Sequence, residues 1–238
     1  MCAERPDDGV VPSAEFALAI LAKAPIPGQA KSRLIPALGP EGAARLHERL
    51  LRHTLAIAVA ATPAHRITLW TALDHDHPLF VELAERHGIS LRPQPAGDLG
   101  ERMHHALVEA GEPALVIGSD CPMLSPGLLR ACAEALGKHD VVCLPAEDGG
   151  YGLIGVRHPD PRLFDDVPWG TGSVMARTRE RITALGWRLT CPATVWDVDR
   201  PEDLTRLSCL HPTLVEDIVA SRAAGPGKTR PTTIISAH

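Results

Sequence analysis

The sequence predicts an α/β fold with three layers, α/β/α, in which helices cover both faces of a mostly parallel mixed sheet. Apolar runs of strand length alternate along the chain with segments of helical periodicity, and this alternation is typical of a parallel sheet. Several of the runs are apolar without alternation, as expected of strands that are buried on both faces. From about residue 147 a glycine-rich turn leads into a further strand-like segment, which favours a mixed sheet over a purely parallel one.

Three strands and three helices are predicted in the first half of the chain. The first strand, FALAILAK, is apolar throughout and precedes a loop rich in proline and glycine. Gly39 and Pro40 open the first long helix, and Asp98 with Glu101 has the spacing of a capping box at the start of the third. The predicted strands are 16–23, 65–72 and 89–94, and the predicted helices are 40–61, 78–87 and 98–110.

The second half of the chain continues the alternation. PALVIGSD predicts another buried strand, and Ser125 with Pro126 opens the helix that follows it. The predicted strands are 113–120, 140–146 and 149–157, and the predicted helices are 125–136 and 172–185. The segment 195–204 is predicted to be the end of a strand that leads into a helix.

The 238 residues are predicted to form one domain with a flexible segment at each end. The first residues are polar, and the last ones, GPGKTRPTTIISAH, are rich in turn formers. A chain of this length with 45% apolar residues can bury the core of one large domain. The predicted boundaries are 1–14 for the flexible N-terminal segment, 15–224 for the single domain and 225–238 for the flexible tail.

Charge and cysteine content argue against several classes of function. The net charge is −5 and the isoelectric point about 6.2, so no global basic field for nucleic acid or an anionic membrane is expected. The six cysteines contain no C-x-x-C pair, which indicates a reducing cytoplasm rather than a zinc site or a disulfide framework. No apolar run approaches the roughly 18 residues of a membrane span. We therefore expect a cytoplasmic protein whose partner is a small molecule, with a homodimer as an open alternative.

Five loops that follow predicted strands contain the candidate functional residues. In open α/β sheets, ligands bind in the crevice beyond the carboxyl ends of the strands. One of the loops is cationic, and the other four contain aspartate. In chain order they are AKAPIPGQAKSRL, QPAGDLGERM, GSDCPML, PAEDGGYG and WDVDRPEDL.

Asp120 is the candidate metal ligand, because it places a carboxylate directly at the end of a predicted buried strand. Carboxylates at this edge of a sheet hold Mg²⁺ or Mn²⁺ against a substrate phosphate in α/β enzymes. These ions keep some water and use only one or two protein carboxylates, so Asp197 or Asp199 is predicted to supply the second. The alternative is a structural aspartate that caps the following turn.

Lys23, Lys31 and Arg33 concentrate three positive charges in and before the first loop of an acidic protein. Arginine matches phosphate oxygens with its planar fork, and lysine supplies a point charge. The loop lacks the spacing of a P-loop, so the ATPase motif is absent. A di- or triphosphate is the predicted ligand, and a solvated basic loop is the alternative.

Two further loops are candidates for substrate binding. In EDGGYGLIG, the glycines at 149–150 allow a tight turn and a close approach of the backbone to a ligand. In GDLGERM, Asp98 and Gly100 suit a loop that lies over a base or a ribose. The structural alternatives are a strand in which Tyr151 is ordinary filling, and an ordinary helix start.

Six motifs between Ala22 and Leu204 together resemble one known family. In order they are AKAPIPGQAKSRL, GDLGERM, GSDCPML, EDGGYGLIG, PWGT and DVDRPEDL. The family consists of bacterial glycosyltransferase-like proteins with a DUF designation, associated with radical SAM or selenium-related genes. It is similar in turn to 2-phospholactate guanylyltransferase and to the molybdenum cofactor nucleotidyltransferases. The resemblance implies the nucleotide-diphosphosugar transferase (glycosyltransferase type A) fold, with a nucleotide over the first loop and a metal at Asp120.

The resemblance also implies roles for individual positions. Lys31 and Arg33 would meet phosphates in the catalytic site, and residues 148–151 would face the acceptor. Asp197 and Asp199 would form a second acidic element for the metal. The implied substrate-binding positions are Lys23, Ser32, Asp98, Gly100, Asp148, Gly149, Gly150, Tyr151 and Thr171.

Three positions depart from the pattern of the family. Ser32 stands where threonine is common, Gly152 where an aromatic residue is frequent, and Gly170 where serine is usual. The two glycines remove bulk or a hydroxyl close to the implied acceptor. An acceptor different from the family norm is therefore left open.

The predicted function is that of a divalent-metal-dependent transferase that acts on a nucleotide or a nucleotide sugar. Two reactions remain open: nucleotidyl transfer to a small phosphorylated acid of the phospholactate or phosphoenolpyruvate type, and glycosyl transfer. In both, Mg²⁺ or Mn²⁺ and the pair Lys31 and Arg33 would stabilise charge on the leaving phosphate. The alternatives are a family member that acts on a phosphoenolpyruvate-like acid without a nucleotide, and a non-catalytic nucleotide-binding protein.

Overall fold

The computed structural model describes residues 15–216 and residue 218. The flexible ends predicted at 1–14 and 225–238 lie outside the described residues. The chain divides into two compact units. The first comprises the described residues up to 24 together with Arg49–Val198, and the second comprises Pro25–Glu48 and the described residues from 199 onward. The predicted boundaries of a single domain over 15–224 stay a prediction.

A mixed sheet of seven strands forms the centre of the first unit. In chain order the strands are β1 (Ala17–Lys23), β2 (Ile67–Ala72), β3 (Ser90–Pro93), β4 (Ala114–Ile117), β5 (Val141–Pro145), β6 (Tyr151–Val156) and β7 (Leu189–Thr190). Their order across the sheet is β3-β2-β1-β4-β6-β5-β7. Strand β6 is antiparallel to both of its neighbours, and the other pairs are parallel. The prediction of a mostly parallel mixed sheet is confirmed.

Continuous apolar burial explains why the central segments form strands. Residues 17–20 of β1 and all four residues of β4 are at most 2% exposed. A strand that is apolar on both faces must be covered on both, which is the arrangement of a three-layer α/β/α fold. The predicted fold class is therefore confirmed.

The helices of the described residues follow the predicted positions closely. They are α1 (Ile35–Ala61), α2 (Pro78–His87), α3 (Leu99–Ala110), α4 (Pro126–Ala135), α5 (Val174–Ala184), α6 (Asp203–Leu210) and α7 (Pro212–Val215). Ser125 caps α4 by accepting a hydrogen bond from the Leu128 amide at 3.1 Å. None of the described helices combines the length and the apolarity needed to cross a bilayer.

Three features of the structure differ from the prediction or add to it. The range of α1 contains two helical pieces, because Gly39, with a φ of 72° and a ψ of 166°, is not helical: the long piece starts at Pro40 as predicted, and a short piece at 35–38 was not predicted. Strand β7 was not predicted, because two residues are too short to show a periodicity. The predicted strand end at 195 is reduced to a single parallel bridge between Ala146 and Val195.

The direction of the strands gathers several loops at one edge of the sheet. Strands β1 to β5 all run in the same direction, so their carboxyl ends lie at the same edge. Strand β6 runs the opposite way and therefore begins at that edge. The crevice in which ligands bind to open α/β sheets is expected at this edge.

Candidate active site

Asp120 lies just beyond the carboxyl end of β4. The strand ends at Ile117, and Gly118 and Ser119 connect it to the aspartate. Ser119 is buried and Asp120 is half-buried. Because a buried strand precedes the connection and the capped helix α4 follows it, Asp120 is held at a defined place on the edge of the sheet.

Residues 195–198, here called the late acidic segment, bring Asp197 to the same place. The Val195 amide donates a hydrogen bond to the Pro145 carbonyl, at 2.8 Å, at the end of β5. The Val198 amide donates to the Asp120 carbonyl at 3.0 Å. Main-chain bonds therefore hold the segment that contains Asp197 beside Asp120, in the connection after β4.

The carboxylates of Asp120 and Asp197 both act on the buried thiol of Cys121. Burial, aided by these two negative charges and opposed by bonds from the amides of Met123 and Leu124, raises the pKa of Cys121 to about 12. Cys121 is only 1% exposed, so its thiol stays protonated at neutral pH and is not a nucleophile. Both carboxylates therefore lie within electrostatic reach of one sulfur atom.

This pair of carboxylates fits a hard divalent cation that is completed by a substrate. Within the described residues, no group of three or more histidine, cysteine or acidic side chains forms a ready-made metal site. Mg²⁺ is usually bound through one or two carboxylates, water and substrate phosphates rather than by an all-protein cage. Asp120 and Asp197 provide that donor set, and the metal itself stays a prediction.

In the second unit, Arg33 forms an ion pair with Asp199 through Nη1 and Oδ2. Lys31 adopts a left-handed conformation, with a φ of 50°, before the 3₁₀ turn Ser32–Leu34. The Asp199 amide donates to Oδ2 of Asp203 in the first turn of α6, at 2.9 Å. The structure thus joins two predicted elements, the cationic loop and the second acidic element, within one unit.

Lys23 and Asp120 both belong to the first unit. Lys23 is the last residue of β1 and is exposed. The convergence of Lys31 and Arg33 with Asp120 at one metal ion stays a prediction.

The glycine turn after β5 contacts the loop 168–173. Gly149 has a φ of 92°, and a β-carbon built on it would lie 2.0 Å from the carbonyl oxygen of Gly172. The Gly149 carbonyl accepts a hydrogen bond from the Met175 amide at 2.8 Å. Only glycine at position 149 permits this approach, so the EDGGYG turn packs against the backbone of Gly172, the residue that follows the PWGT motif.

Asp148 and Thr171 use their side chains within these two loops. Oδ1 of Asp148 accepts a hydrogen bond from the Gly150 amide at 2.9 Å. The Thr171 hydroxyl donates to the Pro168 carbonyl at 2.8 Å and shares a hydrogen bond with the Ser173 hydroxyl at 2.9 Å. Both side chains therefore shape their own loops, and their contacts to a substrate stay predictions.

Tyr151 packs into the core at the start of β6. Its ring meets the ring of Trp169 edge to face, with centroids 6.4 Å apart and planes at 88°. Its hydroxyl oxygen lies 4.0 Å from the sulfur of Met103. Burial raises the pKa of Tyr151 well above its ordinary value, so the phenol stays protonated. These contacts are those of the strand-filling alternative, and a contact with the acceptor stays a prediction.

The two unusual glycines near the implied acceptor have different surroundings. A β-carbon on Gly152 would lie 3.0 Å from Cγ2 of Val195 and 3.4 Å from Sγ of Cys121. A β-carbon on Gly170 would meet no atom within 4 Å, but the φ of 76° there disfavours other residues. The space beside Gly152 is therefore occupied by neighbouring side chains.

Asp98 and Gly100 both have structural roles at the start of α3: Asp98 caps the helix, and Gly100 lets it pack closely on neighbouring rings. Oδ1 of Asp98 accepts from the Glu101 amide at 2.9 Å, and Oε2 of Glu101 accepts from the Asp98 amide at 2.8 Å. The predicted capping box is confirmed. A β-carbon on Gly100 would lie 2.7 Å from Cζ2 of Trp169 and 2.9 Å from Cβ of Phe164. Gly100 therefore lets α3 pack closely on these two rings.

A groove of about 610 Å³ runs beside α3. It begins at the capping box and continues for two turns of the helix. Its lining includes Pro95, Asp98, Gly100, His104, Phe164 and Asp165. The groove is large enough for part of a small ligand, and a contact of Asp98 or Gly100 with a base or a ribose stays a prediction.

Gln94 has a structural role that the sequence did not indicate. Its side-chain amide donates to the carbonyls of Trp70, at 2.9 Å, and of Ala22, at 3.3 Å. Its main-chain amide donates to the Thr71 carbonyl at 2.8 Å. The residue ties the loop after β3 to the ends of β1 and β2, and its only sequence signal is a polar residue directly after a strand.

Comparison with known proteins identifies the family. Residues 51–171 match a family described as an uncharacterized protein conserved in bacteria (DUF2064). The chain belongs to this family. The expected resemblance is therefore confirmed.

Guanylyltransferases are among the relatives of the chain. It is 30% identical over 191 residues to 3-phospho-D-glycerate guanylyltransferase from Phenylobacterium zucineum, which covers 75% of this chain and 84% of that protein. It is 28% identical over 187 residues to phosphoenolpyruvate guanylyltransferase from Sphaerobacter thermophilus, with 75% and 86% covered. A 2-phospho-L-lactate guanylyltransferase from Methanosarcina barkeri is 26% identical over 113 residues, with 46% and 51% covered.

Solved structures show the same fold. A protein described as a nucleotide-diphospho-sugar transferase from Desulfovibrio desulfuricans G20 matches with a TM-score of 0.74 and 26% identity over 89% of this chain and 95% of that one. CMP:2-keto-3-deoxy-manno-octonic acid synthetase matches with a TM-score of 0.55 and 12% identity over 84% and 99%, which shows the fold alone. The chain is an enzyme of the transferase class with the nucleotide-diphosphosugar transferase fold.

Proposed function

We propose that this enzyme transfers a nucleotidyl group, with guanylyl as the first candidate, from a nucleoside triphosphate to the phosphate of a small phosphorylated acid. The observation that carries the proposal is the shared chemistry of the three relatives, whose names each combine guanylyl transfer with a three-carbon phosphorylated acid. The common acceptor is a carboxylate with a phosphate ester on the same short skeleton.

The proposed reaction joins two phosphates. A phosphate oxygen of the acid attacks the α-phosphorus of the triphosphate, and the bond from that phosphorus to its bridging oxygen breaks. Pyrophosphate leaves, and the new bond makes a diphosphate linkage. A phosphate ester is largely a dianion at neutral pH, so its attack needs no general base.

Asp120 and Asp197 would hold Mg²⁺ or Mn²⁺ at the edge of the sheet, with Asp199 as a further candidate. When bound, the ion would supply positive charge to the phosphates and to the leaving pyrophosphate. Lys31 and Arg33, with Lys23 at the end of β1, would neutralise the remaining phosphate charge. Several negative charges meet in this reaction, and a cationic loop in an acidic protein suits that requirement.

The loops around the glycine turn would bind the acid, and the groove beside α3 would bind the nucleoside. Gly149 packs against the backbone of Gly172 and accepts a hydrogen bond from the Met175 amide, which gives a rigid wall for a small acceptor. Asp98 and Gly100 lie in the lining of the groove. A cytoplasmic location is part of the proposal, because nucleoside triphosphates are available there.

A matrix of substrates tests the proposal. The purified protein is mixed with each of the four ribonucleoside triphosphates and with phosphoenolpyruvate, 2-phospholactate or 3-phosphoglycerate, with and without Mg²⁺. Pyrophosphate release is measured, and the product is weighed by mass spectrometry. We expect pyrophosphate and an equal amount of a nucleotidyl–acid diphosphate in at least one GTP mixture containing Mg²⁺.

Other outcomes would identify the alternatives. Release of a nucleoside diphosphate from a nucleotide sugar, with no pyrophosphate in any mixture, would establish glycosyl transfer instead. Stabilisation by a phosphorylated acid but by no nucleotide, measured as a shift in melting temperature, would indicate a nucleotide-free enzyme. Tight binding of GTP without turnover of any acid would indicate a non-catalytic protein.

A further inference from the structure

Gly152 lies where β6 meets the two segments that contain the aspartate pair. Its α-hydrogen faces the side chains of Val195 and Cys121, at distances that leave a β-carbon only 3.0 Å from Cγ2 of Val195. Cys121 follows Asp120, and Val195 precedes Asp197 by two residues in the late acidic segment. One glycine is therefore packed against both halves of the candidate metal site.

Both neighbours of Gly152 are buried, and the backbone of each is constrained. Val195 is 2% exposed, and its amide is bonded to the Pro145 carbonyl at the end of β5. Cys121 is 1% exposed, and it lies directly before Pro122 in the connection to α4. The separation of 3.0 Å from Cγ2 of Val195 is tighter than ordinary van der Waals contact between carbon atoms, and the 3.4 Å from Sγ of Cys121 leaves no spare space. A methyl group at 152 would push these two side chains apart.

We propose that Gly152 is a positioning residue, whose missing side chain lets the late acidic segment close on Cys121 and so sets the separation of Asp120 and Asp197. This inference rests on the metal site of the proposed function and deepens it. It also assigns the unusual glycine to the metal rather than to the acceptor. The volume beside Gly152 is filled by Val195 and Cys121, so the glycine does not enlarge an acceptor cavity there.

The test compares Mn²⁺ binding by four proteins. They are the wild type, Gly152→Ala, the double variant Gly152→Ala/Val195→Ala, and the control Gly127→Ala. Gly127 lies in α4, and a β-carbon on it would meet no atom within 4 Å. Bound Mn²⁺ is measured by electron paramagnetic resonance without any substrate, and the melting temperature of each variant is recorded.

We expect Gly152→Ala to weaken Mn²⁺ binding at least about tenfold, which corresponds to roughly 1.4 kcal/mol. Removal of Cγ2 in the double variant should restore binding to within about threefold of the wild type, or roughly 0.7 kcal/mol. Gly127→Ala should bind as the wild type does. In the proposed assay, the Mg²⁺ concentration that gives half-maximal pyrophosphate release should rise for Gly152→Ala, while the KM for the acid stays unchanged.

The outcomes separate this inference from the proposed function. Equal Mn²⁺ affinity of the wild type and a folded Gly152→Ala would overturn the positioning role and leave the metal site in place. A weakened Gly152→Ala whose affinity is not recovered by the double variant would also overturn it. If Gly152→Ala does not fold, a folded double variant with weak Mn²⁺ binding overturns it. Absence of Mn²⁺ binding by the wild type would overturn both the metal site and the inference.

Discussion

Two groups of candidate residues differ in how the chain holds them. Asp98, Asp148 and Thr171 each bond to a backbone group within three residues of themselves. Asp120 and Asp197 are instead brought together by a main-chain bond between segments that are far apart in sequence. A motif that is satisfied locally can form without a ligand, whereas the relative position of the segments that contain Asp120 and Asp197 depends on the fold as a whole.

This contrast predicts different effects of substitution for the two groups of residues at the edge of the sheet. The locally bonded residues define the walls of the site, and their replacement should appear first in stability. The aspartate pair should affect activity and metal binding with little change in stability. Each of the following variants tests one side of the contrast.

The largest effect on stability is expected at the junction of the two loops. Gly149→Ala places a β-carbon on the carbonyl oxygen of Gly172 and forces alanine into a left-handed conformation. We expect the free energy of unfolding to fall by about 4 kcal/mol, a loss typical of severe backbone strain and overpacking. Urea denaturation measures it. Gly170→Ala is the matched control, because it has a similar φ but an open surrounding, and it should lose only about 1 kcal/mol.

The largest effect on activity is expected at Asp120. Asp120→Asn keeps the shape of the side chain but removes the charge, so pyrophosphate release should fall on the order of 100-fold while the melting temperature stays within a few degrees. Asp74→Asn is the control, since the bond that Asp74 makes within the described part of the chain is local, to the Asp76 amide. Full activity of Asp120→Asn would remove the aspartate from the mechanism.

A smaller effect is expected at the capping box of α3. Asp98→Ala removes an N-cap acceptor, and the free energy of unfolding should fall by about 1 kcal/mol. Asp98→Asn can still accept the bond from the Glu101 amide, so its stability should change little. The KM for the nucleotide, measured on the stable Asp98→Asn, then separates a contact with the nucleoside from a purely structural aspartate. An unchanged KM would leave Asp98 with the capping role alone.

The smallest effect is expected at Tyr151. Its hydroxyl lies in the core beside the sulfur of Met103, at 4.0 Å, and beside the Thr178 side chain, so Tyr151→Phe should change activity by less than about threefold, or roughly 0.7 kcal/mol. Burial raises the pKa of Tyr151 well above its ordinary value, so the phenol stays protonated throughout the pH range of the assay. The pH profile of activity between pH 6 and 9 should therefore be the same for both proteins. A limb of the profile that disappears in Tyr151→Phe would assign the phenol a proton-transfer role.

Local signals were sufficient for the elements with defined ends. The helix predicted at 78–87 has those bounds in the structure, and the capping box at Asp98 forms as predicted. Both depend on residues within one helical turn, so the sequence alone specifies them. The long helix likewise starts at Pro40, because Gly39 before it is not helical, whereas the helical piece at 35–38 is too short to show a periodicity.

Tertiary contacts account for what the sequence could not show. Strand β7 has two residues and exists only because β5 offers it a partner. The late acidic segment lies beside β5 and Asp120 through main-chain bonds, which leave no pattern in the side chains. The surroundings of Gly152 likewise depend on Val195 and Cys121, which are distant from it in sequence. The sequence shows that position 152 is a glycine, but only the fold shows which side chains occupy the space beside it.

Calorimetric titration with Mn²⁺ of two double variants tests the contrast most directly. One is Asp120→Asn/Asp197→Asn, and the other is Asp98→Asn/Asp148→Asn, in which both locally bonded carboxylates lose their charge. We predict that the first loses Mn²⁺ binding and the second binds Mn²⁺ with the affinity of the wild type. Equal binding by both double variants, or its loss in the second alone, would contradict the assignment of the metal to the aspartate pair.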